Sequence, residues 1–180
     1  MAAEEFSPSD AIGSFTDTWT RVIIDPRAFF KKLPMEGGLQ PPLVFASLCL
    51  LVGGIEVLLF GGGLKGLVGL VIFGIVRLIV GAAIFALIAQ TLFSGRGDFE
   101  ATLRVLAYAS AVAVAIGLPV VKFFAALYGA YLAILGLEKA HSMDTVRTIV
   151  ALLATVITGA VAVHALGLGS IVARTNPLFQ

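Results

Sequence analysis

Apolar residues dominate the chain in long runs, and charges interrupt them at few places. The charge-free intervals are 37–55, 78–95, 105–121, 123–137 and 148–173. A helix needs about 20 mainly apolar residues to cross roughly 30 Å of hydrocarbon. The first, second and fifth intervals reach that length with their flanks. The third and fourth must borrow Arg104, Lys122, Glu138 or Lys139 at their ends, where long side chains can snorkel to the headgroups. The pattern predicts five spans near 42–60, 67–93, 104–120, 122–138 and 147–170. The fold class is all-α: a polytopic membrane protein with five transmembrane helices and an amphipathic interfacial segment before them. Residues 1–41 form the cytoplasmic segment, 42–172 the membrane domain and 173–180 a short external tail.

Before the first span the period changes. Ile12, Phe15, Trp19, Val22 and Ile23 recur at steps of three and four, opposite Asp17, Thr18 and Arg21, and Ser9 or Asp10 can cap the helix. Asp25-Pro26 ends it and starts another, since aspartate suits the cap and proline the first turn. The next element, Arg27-Ala28-Phe29-Phe30-Lys31-Lys32, sets two aromatics among cations. Such a segment suits the surface of an anionic leaflet, with Phe15, Trp19, Arg27, Phe29, Phe30, Lys31 and Lys32 at the interface or against a partner. The alternative is a helix packed on the protein's own loops. Met1–Asp10 carries Glu4 and Glu5 where a signal peptide needs cations, so the first span is expected to act as the insertion signal.

Composition fits this pattern. Of 180 residues, 59% are hydrophobic and 13% charged, with a net charge of +1. A soluble domain of this size needs more polar surface, and a nucleic-acid binder needs a basic stripe. One cysteine, Cys49, excludes a disulfide scaffold. Cations set the orientation. Arg21, Arg27, Lys31, Lys32, Arg96, Arg104, Lys139 and Arg147 fall on one side, against Lys65, Lys122 and Arg174 on the other. The positive-inside rule places the N-terminus in the cytoplasm and the C-terminus outside, as in a prokaryotic inner membrane. The count holds whether 104–138 makes two full spans or a re-entrant hairpin.

Charges inside the apolar runs are the candidate site. With a hairpin turning near residues 62–65, Glu56 and Arg77 stand about five residues apart, or roughly 7–8 Å. They are either an ion pair fixing the hairpin or part of an ion, proton or lipid-headgroup path that includes Lys122 and His164. His164 either bonds a neighbouring helix or relays protons. Tyr128 and Tyr131 either hydrogen-bond within the bundle or stack on a ligand. Small residues spaced by four (Ala109, Ala113, Gly117; Ala125, Gly129, Ala133; Ala151, Thr155, Gly159) predict that the last three spans form one tight bundle. Pro119 breaks the third span. His141 sits in a loop beside Glu138 and Asp144, without a recognised ligand spacing, so no metal is expected. The sequence contains no nucleophile–base set, HExxH or phosphate loop, and no catalytic residue or cofactor is assigned. No internal repeat supports an inverted-repeat transporter.

Trp19-Thr20-Arg21-Val22-Ile23-Ile24-Asp25-Pro26-Arg27-Ala28-Phe29-Phe30, then Leu33–Leu39 and Pro42-Leu43, resemble the Yip1 domain family of five-span membrane proteins in its shorter prokaryotic form. Tyr108-Ala109, Pro119-Val120-Val121, Tyr128, Ile134–Leu137, His141 and Arg147 follow the same family's later spans, so the resemblance covers about residues 15–170. It implies a cytoplasmic N-terminus, five spans and an external C-terminus. Eukaryotic members are similar to trafficking adaptors that associate with Rab GTPases and with one another. This chain lacks their Asp-Leu-Tyr-Gly-Pro motif, having Leu39-Gln40-Pro41-Pro42-Leu43 near that point, so Rab binding does not carry over. The function expected is a non-enzymatic scaffold or adaptor. The rival is a lipid- or ion-handling protein (scramblase, transporter or channel) using Glu56 and Arg77. The partners expected are membrane lipids and a second copy or another membrane protein, not nucleic acid.

Overall fold

A computed structural model of the chain describes residues 5–118, 120–165 and 167. Every regular element among them is a helix. After a 3-10 turn at Pro8–Asp10 comes α1 (Ala11–Ile24), where the Asp10 carboxylate accepts from the Gly13 amide at 3.3 Å. Asp25 then serves two helices. Its amide donates to the Arg21 carbonyl and closes α1, while its carboxylate accepts from the Ala28 amide at 3.2 Å and opens α2 (Pro26–Lys32). Proline costs nothing at that first position, because its missing N–H would lack a partner there anyway.

Among the described residues, three helical stretches are long and apolar enough to cross a membrane: Gln40–Phe93, Val121–His141 and Thr145–Ala165. The first folds back on itself. Helix α3 (Gln40–Val57), with Pro41 and Pro42 in its first turn, meets a wide turn at Leu58–Gly62 before α4 (Gly63–Phe93). Phe60 and Gly61 leave helical geometry there, and Gly61 takes φ +99°, which a side chain would resist. The chain then forms α5 (Phe99–Ala109), which tightens into a 3-10 segment at Ser110–Ala115, followed by α6 (Val121–His141) and α7 (Thr145–Ala165). Pro119, the residues after 167 and the expected tail lie outside the described residues. Leu59, Leu64 and Ile157 are more than half exposed, the large apolar outer surface expected of a protein bathed in lipid.

The core departs from expectation at the N-terminus. Phe6, Val22, Phe29 and Phe30 are buried in the same cluster as Phe45, Phe85, Tyr108 and Leu137, and Phe15 and Trp19 pack against it. The apolar stripe thus faces the bundle, and Phe29 and Phe30 do not reach a membrane surface. Phe29 meets Tyr108 edge-on at 5.2 Å, and Phe30 lies so close to Gly136 that a Cβ there would come within 2.8 Å of the ring. The buried face is also rotated from the predicted one. Thr18 is inside, while Ile12 and Ile24 are exposed. Helices α5 and α6 pack on each other, and Gly129 of α6 faces Val112, but of the predicted small residues Ala113 and Gly117 lie against α3, at Gly53 and Glu56. Helix α7 instead packs chiefly on α4. Its buried residues are Thr148, Ala151 and Thr155, and a Cβ at Gly159 would meet open space.

Candidate functional site

One buried cation organises the end of the bundle where the N-terminus, the α2–α3 link and α5 meet. Arg104 is fully buried. Its Nε donates to the Pro34 carbonyl at 2.8 Å, Nη1 donates to the Gly38 carbonyl, and Nη2 meets the Glu5 carboxylate at 2.5 Å. Glu100, one turn earlier on α5, lies 3.8 Å from Nη1 and accepts from the Gly38 amide at 2.7 Å. Tyr108, one turn later, donates to the same Glu5 oxygen at 3.0 Å. Gly38 holds φ +90°, which lets its carbonyl and its amide face two neighbouring side chains. A buried guanidinium is tolerable when paired and hydrogen-bonded, and removing one partner of such a pair costs about 3–5 kcal/mol. Lys139 adds a second tie, donating to the Lys31 and Leu33 carbonyls at the C-terminus of α2 at 2.7 and 2.9 Å. A cation suits that negative helix end.

Glu56 and Arg77 do not form the expected hairpin pair. The Glu56 carboxylate accepts from the Gly117 amide at 3.0 Å, closing the end of the α5 segment. Arg77 is exposed on α4 and makes no hydrogen bond or ion pair among the described residues. The register explains the separation. A Cβ at Gly74 would strike Leu50, and one at Gly54 would meet Leu67. Arg77 is therefore level with about residue 47, some nine residues or about 13 Å from Glu56. The turn starts at Leu58 rather than near residue 62, and this shifts every facing pair.

The remaining predicted residues divide between α6 and the N-terminal helices. Tyr128 donates to the Ile23 carbonyl at 2.8 Å, and its ring lies 5.7 Å from that of Tyr131. The Tyr131 hydroxyl accepts from the Arg27 Nε at 3.4 Å and, with the more distant Glu138, holds that guanidinium above its ordinary pKa. Trp19 Nε1 donates to the Ala111 carbonyl at 3.0 Å. Beside Trp19, Ile23 and Tyr128 opens an apolar cleft of about 260 Å³ that Val112, Val121 and Phe124 also line. Lys31 and Lys32 are exposed on α2, Lys122 is half-buried at the start of α6, and His164 is exposed near the end of α7. No hydrogen bond or ion pair among the described residues joins Lys122 or His164 to Glu56 or Arg77.

The model of the Yip1 domain family matches residues 20–166, well over half of the chain. The chain belongs to the Yip1 domain family. No curated protein and no solved structure matches it. The Yip1 match contains Arg104, Tyr108 and the Gly37-Gly38 link but starts after Glu5 and Phe6, so the carboxylate on Arg104 comes from outside the matched region.

Within the Yip1 region lies a buried polar contact that the sequence did not announce. His141, expected in a loop, is the last residue of α6 and fully buried, its ring edge-on to Phe85 at 5.2 Å. Thr102 gives its hydroxyl proton to the Asp98 carbonyl at 2.6 Å and so accepts from His141 Nε2 at 2.7 Å. That leaves Nδ1 as a buried acceptor without a partner among the described residues, facing Gly95. In the sequence Arg104 stands at the flank of a span and among the cations that set the orientation. Its signal was present as Glu100, Arg104 and Tyr108, three residues spaced by four and hence on one helix face.

Proposed function

We propose that the chain is a non-enzymatic membrane scaffold or adaptor of Yip1 type. It crosses the bilayer five times, through α3, α4, α5 with its 3-10 extension, α6 and α7. The α5 stretch runs about 28 Å if helical rises are summed over Phe99–Ala115, close to the roughly 30 Å of hydrocarbon. The cation excess favours a cytoplasmic N-terminus, and the likeness to the shorter form of the family favours a prokaryotic inner membrane. The observation that carries the scaffold reading is the use made of the interior charges. Arg104 ties together three chain segments, and the Glu56 carboxylate holds a backbone amide, so both serve the architecture.

The reading is tested in reconstituted vesicles and in native membranes. Purified protein should move neither lipid nor ions above the rate of empty vesicles, and cross-linking in the native membrane should trap a defined membrane-protein partner. Charge reversal at exposed Lys31 (Lys31→Glu) should weaken that adduct. A flux that disappears in Glu56→Gln would establish the transport reading instead, and so would the lack of any defined adduct together with measurable flux.

A further inference from the structure

We infer that the cleft between α1 and the α5–α6 hairpin binds an anionic phospholipid, with the phosphate on Arg27 and part of an acyl chain between Trp19, Ile23, Val112 and Phe124. This goes beyond the scaffold reading and does not depend on it. The cleft wall is hydrocarbon because its two polar groups are already engaged. Trp19 Nε1 is spent on the Ala111 carbonyl and the Tyr128 hydroxyl on the Ile23 carbonyl. Its volume of about 260 Å³ is below that of a site enclosing a whole small molecule, but leaves room for a stretch of chain.

A cation stands at one end of this apolar strip. Tyr131 follows Tyr128 by three residues, about 4–5 Å along α6, and its hydroxyl engages only the Nε of Arg27. Both Nη groups of Arg27 make no hydrogen bond or ion pair among the described residues, and the side chain is exposed. A guanidinium with two free donors is suited to a phosphate, which it can grip bidentately. Phe124, Tyr128, Tyr131 and Arg27 therefore run from apolar through amphipathic to cationic, the polarity order of a single lipid. Aromatic residues with one polar end occupy that boundary in membranes. Glu138 attracts the Arg27 guanidinium from a distance but forms no ion pair with it, and the other neighbouring charges are engaged elsewhere. Arg21 pairs with Asp17 at 2.6 Å, and the Asp25 carboxylate accepts from the Ala28 amide. A surface cation favours an anionic over a neutral lipid by about fivefold, ~1 kcal/mol.

Trp19 is the sole tryptophan of the chain and lines the cleft, so its fluorescence reports occupancy directly. The protein is reconstituted in phosphatidylcholine vesicles containing a minor fraction of acyl-brominated phosphatidylglycerol or acyl-brominated phosphatidylcholine. Brominated phosphatidylglycerol should quench Trp19 with about fivefold higher apparent affinity. Arg27→Ala should abolish the preference, Arg27→Lys should keep part of it, and Ala115→Phe, which fills the cleft, should weaken quenching by both lipids. Equal quenching by the two lipids in the wild type would overturn the inference, as would a preference that survives Arg27→Ala. Quenching of Trp19 by neither brominated lipid would overturn it too, leaving the cleft without a lipid.

Discussion

Two arginines of this chain sit in opposite circumstances. Arg104 is fully buried and donates to two carbonyls and a carboxylate, whereas Arg77 is exposed on α4 with no partner among the described residues. Read along the sequence the two exchange roles, since Arg77 lies in a long apolar run and Arg104 at the edge of one. The difference shows that apolar neighbours in sequence do not bury a charge. Burial follows the helix face on which the charge lies and what other segments bring to it. Glu100 and Tyr108 share the face of Arg104, and Pro34, Gly38 and Glu5 arrive from elsewhere in the chain. Arg77 has Val76 and Val80 beside it, both directed outward.

The contrast can be broken most sharply at its buried end. Arg104→Leu should destabilise the protein by about 3–5 kcal/mol, because it strands the Glu5 carboxylate and two carbonyls; thermal unfolding in detergent would register it. Gly38→Ala should cost about 1–2 kcal/mol, since an alanine resists positive φ while the amide and carbonyl must keep their directions. A destabilisation of that size that vanishes when combined with Arg104→Leu would place Gly38 in the same network. Tyr108→Phe should cost about 1 kcal/mol through the lost hydrogen bond to Glu5, measured in the same unfolding assay. Arg77→Leu should leave stability within about 0.5 kcal/mol of wild type or raise it, because it removes no contact. A large loss there would mean that Arg77 is a structural pin after all, and the comparison would collapse.

The helices themselves were largely legible. Asp25-Pro26 marks its two helix ends through capping chemistry that depends on adjacent residues only, and the Pro41-Pro42 start of α3 is equally local. What failed was register. Nothing in Gly61-Gly62-Gly63 tells that the turn opens at Leu58, and that small shift separates Glu56 from Arg77. The N-terminal aromatics could be read as facing lipid or protein, and Gly136 decides for Phe30 from more than a hundred residues away. His141 looked like a loop residue because Glu138 and Lys139 suggest solvent, yet α6 runs on to His141 and buries it under Phe85. Such pairings depend on tertiary distance, which a single sequence does not carry.

The N-terminal segment belongs to the bundle, and Arg104 holds it there. Hydrogen exchange of the α1 amides, Ala11–Ile24, measured in wild type, Arg104→Leu and Arg77→Leu, tests this most directly. Protection should be strong in the wild type and in Arg77→Leu and should fall sharply in Arg104→Leu while α4 and α7 stay protected. Amides of α1 that exchange equally fast in all three proteins, or equally slowly, would contradict it.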